Sequence, residues 1–168
     1  SNFIYTRLYN DYTLMKILVT GAAGFCGYSI CNELSKIQGI SQIIGLDNLC
    51  RTGSEQNVSL LKANDIQFIR GDVRLQSDID SLPSADWVID CSANPSVLAG
   101  IDGKTSSRQL MEHNLFGTIN ILEYCKKYKA GLILLSTSRV YSALELANVP
   151  VNSLNGRFDI QDHNIMGL

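Results

Sequence analysis

The sequence has 168 residues, 45% of them apolar, 18% charged and 8% aromatic, and 14 Lys and Arg stand against 16 Asp and Glu for a formal net charge of −2. That balance gives nucleic acid no broad cationic surface, and 13 Gly beside only 3 Pro is not the make-up of a disordered tether, so one soluble globular domain is expected. No run approaches the roughly 18 to 20 apolar residues that cross a bilayer and no secretory signal opens the chain, so no membrane partner is expected and the location reads as cytoplasmic.

Residues 1–14 show no period and read as a leader or extra arm. From Lys16 the pattern becomes regular. Ile17-Leu18-Val19 is a short apolar run of the kind buried on both faces of a sheet, and Thr20-Gly21 ends it. Cys26, Ile30, Leu34 and Ile37 then recur at helical spacing, Gly39 stops that helix, and Gln42 to Leu46 supplies a second strand. Further strands are expected at Ile66–Ile69, Trp87–Ile89 and Leu132–Leu135. Before the last of these the longest helical pattern places Met111, Leu115, Thr118, Leu122 and Cys125 on one face, with Ile119 beside them. Strands alternating with helices imply parallel pairing and right-handed crossovers, hence an α/β, Rossmann-type doubly wound sheet of five strands. It occupies residues 15–142, and residues 143–168 read as a long loop or tail.

Five cysteines, Cys26, Cys31, Cys50, Cys91 and Cys125, form no C-x-x-C pair, and the two histidines, His113 and His163, lie far apart. Neither a disulfide framework nor a metal site is encoded, and each thiol is expected to be a small buried hydrophobe.

The most informative segment is Gly21-Ala22-Ala23-Gly24-Phe25-Cys26-Gly27. The first glycine permits a tight turn, the second lets the main chain approach a pyrophosphate, and the third lets a helix pack closely on its strand. Free N–H groups at the helix start then favour phosphate. Asp47 lies 20 residues past Gly27 at the end of the second strand, where a carboxylate accepts ribose hydroxyls and repels a 2′-phosphate; this favours NAD over NADP. Arg51, four residues on, is the opposing signal, since a guanidinium there suits a phosphate. No Lys-Ser or Lys-Thr follows the glycines, which argues against a phosphate-loop hydrolase.

The spacing G-x-x-G-x-x-G together with Asp47-Asn48-Leu49 resembles the NAD-dependent epimerase/dehydratase family, extended short-chain dehydrogenases that act on nucleotide sugars. Further segments follow in the family's order. Gly71-Asp72-Val73 resembles its post-strand turn, where the Asp and the next main-chain group meet adenine. Cys91-Ser92-Ala93 stands where Leu-Ala-Ala usually lines the cofactor. Asn114 to Thr118 resembles the Asn-x-x-Gly-Thr helix motif, whose Asn has the alternative role of holding helix to loop. Ser136-Thr137-Ser138-Arg139-Val140-Tyr141 resembles the Ser-Ser/Thr-x-x-Val-Tyr-Gly signature. The resemblance implies that Gly21, Gly24, Phe25, Cys26, Gly27, Asp47, Asn48, Asp72, Val73, Cys91, Ser92 and Ala93 bind NAD. It implies that Thr137 is catalytic and hydrogen-bonds the reacting sugar oxygen, with Ser96 and Ser138 contacting a nucleotide-sugar substrate. Ser142, Cys26, Tyr28 and Cys91 depart from the family's usual residues, and the orientation of Tyr28 stays open.

The family's chemistry also uses a Tyr-x-x-x-Lys pair, in which the tyrosine exchanges a proton with the sugar hydroxyl. No tyrosine follows Tyr141 in this sequence, and Tyr12 and Lys16, though correctly spaced, open the first strand rather than lie on a helix. The expectation is therefore an N-terminal, NAD-binding portion of a nucleotide-sugar enzyme, inactive alone and prone to self-associate through exposed sheet surface. The alternative is a non-catalytic nucleotide-binding sensor or interaction module.

Overall fold

The computed structural model describes residues 14–94, 106–136 and 142–160. The chain divides into two compact units, residues 1–135 and 136–168. In the first unit β1 (Met15–Thr20), β2 (Ile40–Asp47), β3 (Gln67–Arg70), β4 (Trp87–Asp90) and β5 (Gly131–Leu134) form one sheet in the order β3-β2-β1-β4-β5. Every ladder in it is parallel. The connections are α1 (Phe25–Leu34), α2 (Glu55–Ala63), α3 (Gln76–Asp80) and α4 (Ser107–Met111), the last running through a π turn at Glu112–Phe116 into α5 (Gly117–Tyr128). This is the doubly wound α/β sheet expected from the strand and helix alternation.

The continuous apolar runs are explained by burial on both faces. Leu18, Ile44 and Val88 share one cluster with Ile79 of α3 and Ile121, Tyr124 and Cys125 of α5. Val19, Ile43 and Ile89 share the other with Cys31 of α1 and Leu61 of α2. Adjacent residues of one strand thus serve opposite cores, so no polar alternation is tolerated.

Two helical expectations need correction. α1 ends at Leu34, and its buried residues are Gly27 and Cys31; Cys26 is exposed, and Ile37 lies beyond the helix and is exposed. Tyr28 is half-buried against the second cluster, which settles its orientation. On α4 and α5 the face chosen from spacing is mostly the wrong one. Met111, Leu115, Ile119 and Leu122 are exposed, whereas Gly117, Ile121, Tyr124 and Cys125 are buried. Apolar residues line more than one side of this helix, and the π turn inserts extra residues per turn, so a spacing begun at Met111 does not carry through to the core-facing side.

In the second unit, α6 (Ala143–Ala147) precedes an antiparallel hairpin of β6 (Val151–Leu154) and β7 (Arg157–Ile160). Regular structure replaces the loop expected over this part of 143–168. Asn155 and Gly156 connect the strands at φ 51° and 78°, the positive values that a two-residue hairpin turn requires.

Candidate dinucleotide site

The sheet order reverses between β1 and β4, because β2 and β3 extend to one side and β5 to the other. A crevice opens beyond the C-terminal ends of the strands at such a switch point. Gly21 turns out of β1 at φ +62°, and a Cβ there would stand 2.9 Å from the Cys91 carbonyl oxygen, so the loops leaving β1 and β4 touch main chain to main chain. Gly24 caps α1 in an extended conformation. A Cβ on Gly27 would lie 2.1 Å from the Gly21 carbonyl oxygen, so only glycine lets α1 begin this close to the loop.

The carboxylate of Asp47 ties the end of β2 to that loop. Its Oδ2 accepts from the Ala23 N–H at 3.0 Å and its Oδ1 from the Leu49 N–H at 2.8 Å. Asn57 of α2 donates from Nδ2 to the Ala23 carbonyl at 2.8 Å, bracing the same turn from the other side. Asn48 donates to Asp72 Oδ2 at 3.0 Å and accepts from the Cys50 N–H at 3.0 Å. Arg74 forks onto Asp72, with Nη2 at 2.6 Å from Oδ2 and Nε at 2.9 Å from Oδ1. Hydrogen bonding from Arg74 holds the Asp72 carboxyl well below the usual carboxylate range.

At the end of β4, Asp90 is buried, and one oxygen collects three donors: the Thr20 hydroxyl, the Ser92 hydroxyl at 2.6 Å and the Ser92 N–H at 3.1 Å. Thr20 precedes Gly21, so this carboxylate anchors the starts of both loops. The loop from β4 is fixed again farther on, where the Asn94 N–H donates to Asn114 Oδ1 at 2.7 Å and Asn114 Nδ2 donates back to the Asn94 carbonyl at 3.3 Å. Asn114 therefore performs the helix-to-loop role weighed for it. Burial pushes the Cys91 thiol up to about 12, so this sulfur stays a neutral wall group at ordinary pH.

These loops enclose one cavity. Gly21, Gly24, Asp47, Asn48, Val73, Cys91, Ser92 and Ala93 all line it, which brings together most of the residues expected from the sequence. Gly27 lies buried beneath, Phe25 is 85% exposed, Cys26 is exposed, and Asp72 faces Arg74 rather than the cavity wall. The expectation that every cysteine is buried fails for Cys26 and Cys50, which are exposed at loop and helix starts. Leu46, Cys50, Ser54, Gly71 and His113 complete the wall with Arg51 and were not chosen as site residues from the sequence. Thr137, Ser138 and Ser96 lie outside the described residues. Among the described residues no group of three or more His, Cys, Asp or Glu could hold a metal ion, and no helix is long and apolar enough to cross a membrane.

The model of the NAD dependent epimerase/dehydratase family matches residues 17–156. The chain belongs to this family. It is 31% identical over 137 residues to the CDP-paratose 2-epimerase of Salmonella typhi, a match covering 78% of this chain and 39% of that protein. It is 33% identical over 139 residues to the dTDP-D-glucose 4,6-dehydratase of Dictyostelium discoideum, covering 80% of this chain and 31% of the relative. Among solved structures, the UDP-glucuronic acid 4-epimerase of Bacillus cereus in complex with NAD superposes with a TM-score of 0.61 at 34% identity, over 76% of this chain and 42% of the other. The chain thus spans well under half the length of these relatives.

Proposed function

We propose that residues 15–142 are the cofactor-binding part of a nucleotide-sugar epimerase or dehydratase and hold NAD in the cavity at the switch point. The observation that carries this reading is the meeting of the glycine loop and the Asp47 carboxylate in one cavity wall. The residues fit a dinucleotide: Gly21 and Gly24 keep the wall free of side chains where a pyrophosphate would approach, and the start of α1 offers N–H groups to it. Bound there, the nicotinamide would accept a hydride from a sugar carbon and return it. Asp47 and Asn48 would bind the adenosine ribose, Val73 the base, and Cys91, Ser92 and Ala93 the path toward the nicotinamide.

NAD is favoured over NADP because the Asp47 charge at the cavity wall opposes a 2′-phosphate, while Arg51, exposed on the same wall, is the opposing signal. Thr137 is assigned the hydrogen bond to the reacting sugar oxygen, and Ser96 and Ser138 the substrate, on the strength of their motifs. Residues 143–168 would lead toward the substrate-binding part. Because the 168 residues contain no Tyr-x-x-x-Lys pair after Tyr141, they are not expected to turn over a nucleotide sugar by themselves. Calorimetry with Asp47→Ala tests the cofactor reading: NAD should lose affinity while NADP loses less, and equal losses for both would contradict it.

A further inference from the structure

Among the described residues, Asp90 Oδ2 is the buried side-chain oxygen that no donor meets. The other oxygen, Oδ1, takes the Thr20 hydroxyl, the Ser92 hydroxyl at 2.6 Å and the Ser92 N–H at 3.1 Å. That pattern is a carboxylate's, since an ionised Asp only accepts and a proton on Oδ2 would have no acceptor. Asp90 is only 2% exposed, and among the described residues no cationic side chain pairs with it. A negative charge held out of water without a cation is unfavourable, and a positive charge arriving beside it offsets part of the cost.

The charge stands directly behind the cavity wall. Asp90 closes β4 opposite Thr20 of β1, and the residues that follow on the two strands, Gly21, Cys91 and Ser92, all line the cavity. Two of its three donors belong to Ser92 itself. The Cys91 thiol on that wall, raised first by burial, is raised further by the Asp90 charge. Asp47 and Arg51, the wall's carboxylate and guanidinium, stand at and beyond the end of β2, on the far side of β1. Asp90 therefore supplies the fixed charge on the β4 side of the crevice, the side given above to the path toward the nicotinamide.

We propose that Asp90 makes this site prefer the oxidised dinucleotide over the reduced one, its buried charge acting from behind the Ser92 wall on a ring that is positive in NAD+ and neutral in NADH. This rests on the NAD reading above and adds the oxidation state to it. The pyrophosphate charge is common to both forms, so the difference in their affinities isolates the charge of the ring. The oxidised form is also the one that can accept a hydride in that reading.

The test is calorimetry with NAD+ and NADH on the 168-residue chain. The wild type should bind NAD+ at least about fivefold more tightly than NADH. Asp90→Asn keeps an oxygen for the Thr20 and Ser92 donors but removes the charge, and should bring the two affinities within about twofold. Asp90→Ser, smaller and also neutral, should do the same and serves where the buried Asn amide impairs folding. Thr20→Val removes one donor and keeps the charge, so it should preserve the ratio even where both affinities fall. A wild type without the preference, a preference unchanged in folded Asp90→Asn or Asp90→Ser, or one that collapses equally in Thr20→Val overturns the assignment. A wild type that binds the dinucleotide in neither oxidation state overturns the cofactor reading itself, a result distinct from equal binding of both.

Discussion

Replacing Gly27 by Ala separates the packing role of the glycine loop from its binding role. The new Cβ would stand 2.1 Å from the Gly21 carbonyl oxygen, 2.7 Å from the Gly21 carbonyl carbon and 2.8 Å from the Ala22 Cα. All three are main-chain atoms, and the nearest is more than 1 Å inside ordinary contact, which begins at 3.4 Å. No side-chain rotation can relieve this, so α1 must move away from β1 and disturb the buried layer around Cys31, Ala22 and Ala23. Overpacking that forces backbone shifts costs up to about 3 kcal/mol, which for a chain of this size lowers Tm by roughly 6–12 °C. Gly24→Ala is the matched control. Its Cβ meets only the Gly21 oxygen, at 3.1 Å, and its φ of −74° suits any residue. The fold should lose less than about 1 kcal/mol, as for other changes at a helix N-cap. The methyl group instead projects where the main chain would meet the pyrophosphate, so NAD should bind about tenfold more weakly, a loss of ~1.4 kcal/mol. Differential scanning calorimetry and NAD titration on both variants read the two effects. A Gly27→Ala protein that melts within about 2 °C of wild type, below the ~2–4 °C expected from even 1 kcal/mol, would refute the close-packing argument.

Three further outcomes are expected. The Asp72 carboxyl is depressed by Arg74, so its stabilising contribution is complete above the unfolded value near 3.9 and is lost as pH falls through the lower folded value. Asp72→Asn should therefore be less stable than wild type at neutral pH and converge with it on acidification below about pH 4 in urea unfolding; a gap that widens with acid would contradict the Asp72–Arg74 account. In thiol labelling at pH 8, Cys26 and Cys50 should react quickly because they are exposed, while burial, which raises Cys31 to about 12 and raises Cys91 and Cys125 as well, should delay those three until unfolding; fast labelling of Cys31 would show that α1 is not docked as described. The strand β5, last in the sheet order, leaves Ile133 and Leu134 exposed, and α5 leaves Ile119 and Leu122 exposed, so light scattering should show association that grows with concentration, and a monomer at every concentration would count against it.

The sheet was legible in the sequence because a strand buried on both faces must be apolar at every position, and Ile17 to Val19, Gln42 to Leu46 and Trp87 to Ile89 meet or nearly meet that demand. The cavity wall was legible where chemistry restricts the residue: Gly21 needs a positive φ, and Asp47 must end its strand. Helix faces were not. α5 packs through Gly117, Ile121, Tyr124 and Cys125, of which Gly117, Tyr124 and Cys125 weigh little in an apolar count, while Leu115 of the π turn and Ile119 and Leu122 of α5 are exposed. His113 escaped notice because the π turn that places it leaves no mark in a 3.6-residue period. The hairpin did carry a signal: Asn155-Gly156 between Val151–Leu154 and Arg157–Ile160 is the dipeptide that two-residue turns favour, although strands without a strong apolar alternation disguise it.

Amide hydrogen exchange of the 168-residue chain with and without NAD tests the central claim most directly. The account predicts slowed exchange at Ala22 to Gly27, at Asn48 and Cys50, and at Val73, all around the one cavity. Saturating NAD that leaves these amides unchanged, or protects a different surface, would contradict it.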